Sequence, residues 1–115
     1  MFPRVFLLAL WLAGVAWGQS SLVISEFLAS NGQGLTDADG DKPDWIEIQN
    51  TGPTAINLQG WSLTDDPANV AKWRFPATNL SAGSFLLVFA SGKDRAVAGA
   101  PLHANFSLSA DGEYL

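Results

Sequence analysis

Beyond residue 18 the chain never keeps a helical apolar period for as long as about ten residues, and this constrains its fold more than any single motif. Short runs of alternating apolar and polar side chains take the place of helices, cut apart by Gly, Pro and Asp turns. Trp45-Ile46-Glu47-Ile48-Gln49-Asn50 is the clearest, with Ile46 and Ile48 set to face inward and Glu47 and Gln49 outward. Trp61-Ser62-Leu63-Thr64 alternates in the same way, and Lys72-Trp73-Arg74-Phe75 puts two aromatics on one face and two cations on the other. Ser84 to Ala90 is apolar on both faces, which predicts a strand covered on both sides or one with an exposed aromatic face. Strands of this length between such turns imply an all-β sandwich or barrel.

One strand resists simple phasing. Ser21 to Leu28 is rich in β-branched and aromatic residues, with Leu22 and Ile24 on one side and Val23 and Phe27 on the other. Glu26 then shares the side of Leu22 and Ile24. An inward carboxylate is costly, so the strand must end there or supply N–H donors to it. Ala29 to Lys42 is a long loop of Ser, Asn, Gly and Asp.

The amino terminus reads as an address. Arg4 precedes an unbroken apolar run from Val5 to Ala13, and Ala16 and Gly18 supply small residues before a cut at Gln19. That is the three-part layout of a secretory signal peptide over residues 1–18. The apolar run is shorter than the roughly 18–20 residues needed to cross a bilayer, so no stable span is expected after cleavage. Residues 19–115 then form the mature domain, secreted or held at the cell surface. With Arg4 removed it carries 11 acidic residues against five basic ones. No basic stripe exists to neutralise phosphates, which argues against a nucleic-acid partner. The chain has no cysteine, excluding disulfides, thiolate metal sites and cysteine nucleophiles, and this fits bacterial export.

The densest chemistry is the acidic turn Asp37-Ala38-Asp39-Gly40-Asp41-Lys42-Pro43-Asp44. Asp37, Asp39 and Asp41 take the first, third and fifth positions of a calcium loop, but Lys42 stands where Gly is needed and Ile48 where a bidentate Glu is needed. The segment is therefore not an EF-hand. It is either a solvated acidic turn or a looser Ca²⁺ site built from Asp37, Asp39, Asp41 and Asp44, because carboxylates so close repel unless solvated or neutralised. No other cofactor is expected. Trp45 is out of phase with Ile46 and Ile48 and is the aromatic expected to be partly exposed as a ligand-binding residue, whereas Trp61 and Trp73 point inward. His103 is the only histidine, so zinc and triad readings lack partners. Glu26 and Glu47 could be drawn as a glycosidase pair, but so could any carboxylates on neighbouring strands. Asn79-Leu80-Ser81 and Asn105-Phe106-Ser107 match the glycosylation sequon, relevant only in a eukaryotic secretory pathway.

Several of these pieces, in this order, resemble the lamin-tail domain of bacterial secreted proteins. They are Ile24-Ser25-Glu26, Asp39-Gly40-Asp41, Pro43-Asp44-Trp45-Ile46-Glu47-Ile48 with Asn50, and Leu58-Gln59-Gly60-Trp61-Ser62-Leu63-Thr64-Asp65-Asp66-Pro67. Lys72-Trp73-Arg74-Phe75-Pro76, Ala90-Ser91-Gly92-Lys93-Asp94 and Leu102-His103-Ala104-Asn105-Phe106 through Gly112-Glu113 continue the likeness. The resemblance implies an immunoglobulin-like β-sandwich, a noncatalytic module commonly attached to larger exported proteins. It brings no catalytic residues. The strands expected after Leu115 are missing, which predicts a fragment. The basic surface, coiled-coil rod and prenylation signal of nuclear lamins are also missing, so nuclear and DNA roles do not carry over. The expected function is adhesion, tethering or protein interaction within a larger secreted or surface protein. The alternative is a carbohydrate-binding accessory module on a secreted enzyme. The partners expected are therefore other proteins or surface polysaccharide.

Overall fold

A computed structural model of the chain describes residues 10–12, 21–29, 34–108 and 115. Its strands are β1 (Leu10–Leu12), β2 (Leu22–Leu28), β3 (Asp44–Asn50), β4 (Ile56–Asn57), β5 (Trp61–Leu63), β6 (Trp73–Arg74), β7 (Asn79–Leu80), β8 (Phe85–Ala90) and β9 (Leu102–His103). The described residues contain no helix, as the alternation of the sequence predicts. The backbone of β1 pairs antiparallel with β5, and the rest of the expected signal peptide lies outside the described residues. So does the expected turn at residues 109–112.

The principal sheet has the order β2-β3-β8-β9. Its first three strands are antiparallel, and β9 joins β8 in parallel through Val88↔Leu102 and Phe89↔His103. A second sheet, β1-β5-β6, and the short β4-β7 pair are the other sheets among the described residues. The inner face of the principal sheet supplies Leu22, Ile24, Ile46, Ile48, Val88 and Leu102 to one core cluster with Trp61, Leu63 and Trp73 from the second sheet. Ile46, Ile48 and Val88 are completely excluded from solvent. Burial of that kind contributes roughly 1.5–3 kcal/mol per side chain. Trp73 and Phe75 meet edge to face with centroids 5.0 Å apart, the contact that the alternation of Lys72-Trp73-Arg74-Phe75 sets up.

The phasing of β2 departs from simple alternation for a physical reason. The register runs Leu22↔Asn50, Val23↔Gln49 and Ile24↔Ile48, then skips to Glu26↔Glu47 and Phe27↔Ile46. Ser25 is the extra residue of a β-bulge, and a one-residue insertion exchanges the two faces of everything that follows. Glu26 thereby leaves the side of Leu22 and Ile24 and is exposed, while Phe27 turns to pack against the core. The bulge satisfies itself locally, because the Ser25 hydroxyl lies 2.8 Å from Glu47 Oε1 and 3.2 Å from the Glu47 carbonyl oxygen.

Asn50 ends β3 as a fully buried polar node. Its Nδ2 donates to the carbonyls of Thr54 at 2.8 Å and Leu80 at 2.9 Å, and its Oδ1 accepts the N–H of Gly52 at 3.0 Å. The turn after β3 is thus fastened to β7. Gly52 is required there, since a Cβ on it would sit 2.7 Å from Ser21 Oγ and 2.9 Å from Ser21 Cβ.

The outer face of the principal sheet follows from the same register. Val23, Gln49 and Phe85 form one row, Glu26, Glu47 and Leu87 the next, and Leu28, Trp45, Phe89 and His103 the third. Of the two expectations for β8, the structure shows the exposed aromatic at one end, with Phe85 54% exposed, and cover at the other, with Phe89 buried.

Candidate functional site

Two loops meet above the His103 end of the outer face: the acidic turn before β3 and the segment joining β8 to β9. The acidic turn is organised by Asp37, whose Oδ1 accepts the N–H groups of Asp39 and Asp41, each at 3.0 Å. Asp37 N–H in turn donates to the Asp41 carbonyl at 2.8 Å, closing the loop. Gly40 sits at φ +85°, a left-handed geometry natural to glycine and needed for this tight return. These local bonds bring Asp37, Asp39 and Asp41 to one point, each offering a carboxylate oxygen within 4.8 Å of the others.

A lysine stands at that point. Lys93 Nζ donates to Asp37 Oδ2 at 2.6 Å, Asp39 Oδ2 at 2.9 Å and Asp41 Oδ2 at 2.8 Å. Three donors on one ammonium meet three carboxylates, which uses the full hydrogen-bonding capacity of the group. Arg95 adds a second cation through Nη2 at 2.8 Å from Asp39 Oδ2. The turn presenting Lys93 is itself bent, with Gly92 at φ +76° and Asp94 at φ +55°, a conformation that Asp tolerates better than most residues. Mutual repulsion among the acids, which the sequence left to solvent or calcium, is answered here by side chains of the chain itself.

The electrostatics follow the geometry. Hydrogen bonds from Lys93 and then Arg95 hold the Asp39 carboxyl down to about 2. The Lys93 hydrogen bond likewise lowers Asp37 against the opposing effect of burial, with the N–H groups of Asp41 and Asp39 assisting. Lys93 is raised above its ordinary range by Asp37, Asp41 and Asp39, in that order.

Of the four candidate calcium ligands, the structure brings together Asp37, Asp39 and Asp41 and leaves Asp44 apart. Asp44 lies in β3 opposite Ala90, and its Oδ2 accepts the N–H of Leu108 at 3.1 Å. A calcium ion at the three remaining carboxylates would have to displace the Lys93 ammonium. Trp45 lies on the outer face, half-buried, with its indole N–H buried and unpartnered. His103 is fully buried and stacked on Phe89 at 5.1 Å, with Nδ1 2.8 Å from Ser91 Oγ and Nε2 without a partner. Burial, followed by the charge of Arg95, lowers its pKa, so the ring is neutral near pH 7. Beside it, Ala38, Arg95, Val97, Ala100 and Pro101 line an open pocket of about 340 Å³ with mostly small apolar walls.

The residues that sequence reasoning missed are Lys93, Arg95 and the buried Asn50. Charge balance was the signal that could have found the first two. Carboxylates this close in a folded domain are eased by nearby cations, and the chain has only six Lys and Arg residues to supply them.

Nothing in this arrangement matches a catalytic constellation: the carboxylates are paired with cations, and the histidine is neutral beside a serine in no nucleophile context. Among the described residues no helix is long and apolar enough to cross a membrane. Comparison with curated proteins and with solved structures gave no significant match. A family model described as the Lamin Tail Domain, by contrast, matches residues 17–114, covering every strand from β2 to β9. That family is a non-catalytic, immunoglobulin-like interaction domain. The chain, with its all-β architecture and a match over most of its length, belongs to the lamin tail domain family.

Proposed function

We propose that the chain is an exported, noncatalytic module that tethers or adheres a larger secreted or surface protein through contacts with other proteins. The family match over residues 17–114 carries this reading. Supporting it is the internal use of the densest polar chemistry: the carboxylates of the acidic turn hold two loops together through Lys93 and Arg95. The signal-like amino terminus supports export, and the net charge of −5 favours partners with cationic surface over nucleic acid. The alternative partner, surface polysaccharide, rests on Trp45 alone, whose half-buried ring offers only part of a stacking platform.

The test is retention of the chain on an immobilised cell-surface fraction, with one sample left untreated, one treated by protease and one by periodate. Loss of retention after protease supports the protein-interaction reading. Loss after periodate alone moves the assignment to carbohydrate binding, and no retention on the untreated fraction refutes both.

A further inference from the structure

We propose that the outer face of the principal sheet is a docking surface for a cationic polypeptide segment with apolar flanking residues. The inference rests on the interaction-module reading and names the partner's chemistry. Its first support is the pairing Glu26↔Glu47, which sets like charges directly opposite each other across β2 and β3. Such a pair destabilises a sheet, and the Ser25 bulge is what brings Glu26 to this face. Among the described residues neither carboxylate has an ion-pair partner. That contrasts with the acidic turn, where chain cations answer every carboxylate of the cluster.

The second support is what surrounds the pair. Leu87 continues the same row on β8, Trp45 lies one row toward the loops, and Phe85 and Gln49 lie one row toward the open end. Phe85 is 54% exposed, while Trp45, Leu87 and Gln49 are half-buried. An outward sheet face is expected to be polar, and this one places apolar and aromatic side chains around two carboxylates that no cation among the described residues pairs, Glu47 accepting only the Ser25 hydroxyl. An arginine or lysine side chain fits that pattern: its aliphatic stem lies along Leu87 and Trp45 while its charged head reaches Glu26 and Glu47. A partner strand or helix with small apolar residues beside the cation covers Phe85. The chain's own negative charge steers such a partner toward it.

The experiment titrates the full chain with a blocked synthetic peptide alternating valine and arginine, followed by amide NMR shifts and calorimetry. A peptide with citrulline in place of arginine keeps the shape without the charge. The arginine peptide is expected to shift the amides of Trp45, Glu47 and Leu87 and to bind about tenfold more tightly than the citrulline peptide, as two exposed charge contacts provide. Binding is expected to weaken as ionic strength rises from about 0.01 M to about 0.15 M. Glu26→Gln/Glu47→Gln keeps side-chain shape and removes the repulsion, so it is expected to fold with unchanged or raised Tm and to lose the preference for arginine. Phe85→Ser, at an exposed position, is expected to weaken both peptides equally. Equal binding of the two peptides, shifts confined to other faces, or a double variant that keeps the preference would each overturn the proposal. The retention assay separates it from the broader reading. Protease-sensitive retention that survives in Glu26→Gln/Glu47→Gln leaves the interaction module standing and removes this surface from it. Without retention of the wild-type chain the broader reading falls, and the peptide titration still decides the surface.

Discussion

Replacing Asn50 tests whether a single buried amide fastens the end of β3 to the rest of the sandwich. Asn50→Ala deletes the two bonds from Nδ2 to the carbonyls of Thr54 and Leu80 and the one from the Gly52 N–H to Oδ1. At about 1 kcal/mol net for each bond, the loss is about 3 kcal/mol, and the Leu80 carbonyl, buried and left without that donor, adds to it. For a domain of this size about 3 kcal/mol lowers Tm by roughly 12 °C or more. Urea unfolding followed by tryptophan fluorescence measures it, with the midpoint falling and the slope unchanged if only native stability is affected. Asn50→Asp sharpens the test. It keeps the acceptor for Gly52 but turns a carboxylate toward two carbonyls, and burial together with those acceptors raises its pKa above the ordinary carboxylate value of about 3.9. A raised carboxylate binds its proton better in the folded state, so Asn50→Asp loses stability as the pH climbs above that value and recovers it on acidification. An Asn50→Ala variant within about 1 kcal/mol of wild type, or an Asn50→Asp variant no less stable at neutral pH than in acid, would refute the reasoning.

Other perturbations probe the loops. Because Asp39 is held down to about 2 from an ordinary 3.8, with Asp37 lowered too, the stability they confer is present above that ordinary value and is lost as pH falls toward 2. Unfolding midpoints across that window are expected to drop in wild type and to drop much less in Lys93→Met, the cation having been removed. The same variant leaves the carboxylates of Asp37, Asp39 and Asp41 without their ammonium, so calorimetry is expected to show stronger calcium binding than in wild type; equal heats in both chains would count against calcium at this turn. His103, lowered from 6.5 by burial, favours protonation in the unfolded state, so stability declines as pH falls below 6.5, and an NMR titration of its ring is expected to show a midpoint under that value. Gly52→Ala forces a Cβ to within 2.7 Å of Ser21 Oγ and is expected to cost about 1–3 kcal/mol by overpacking, reduced if Ser21 is also changed to Gly.

Much of the fold was legible because alternation reports directly on which side of a sheet a residue occupies. Ile46, Ile48, Trp61 and Trp73 are buried where the period-two pattern placed them, and the lamin-tail likeness agrees with the family match. Two features escaped for definable reasons. The bulge at Ser25 breaks the period of β2 by one residue, and a local pattern cannot report a register that depends on the neighbouring strand. Parallel pairing of β9 with β8 was equally hidden, since Leu102, His103 and Ala104 are all buried and show no alternation to phase. At the acidic turn the sequence showed the carboxylates and the possibility of neutralisation. It did not show the neutralising group, which lies more than fifty residues away along the chain.

That separation has a consequence for a chain without cysteine. Lys93 joins a loop before β3 to one after β8, across sequence separations of 52 to 56. A contact spanning so long a loop ties together the parts of the fold that a disulfide could otherwise have joined. Unlike a disulfide, it needs no oxidant to form and cannot be reduced. It forms afresh whenever the chain refolds, so the domain can unfold and close again without an oxidising partner. Its vulnerability is also different: acid and salt loosen it where reductants would not.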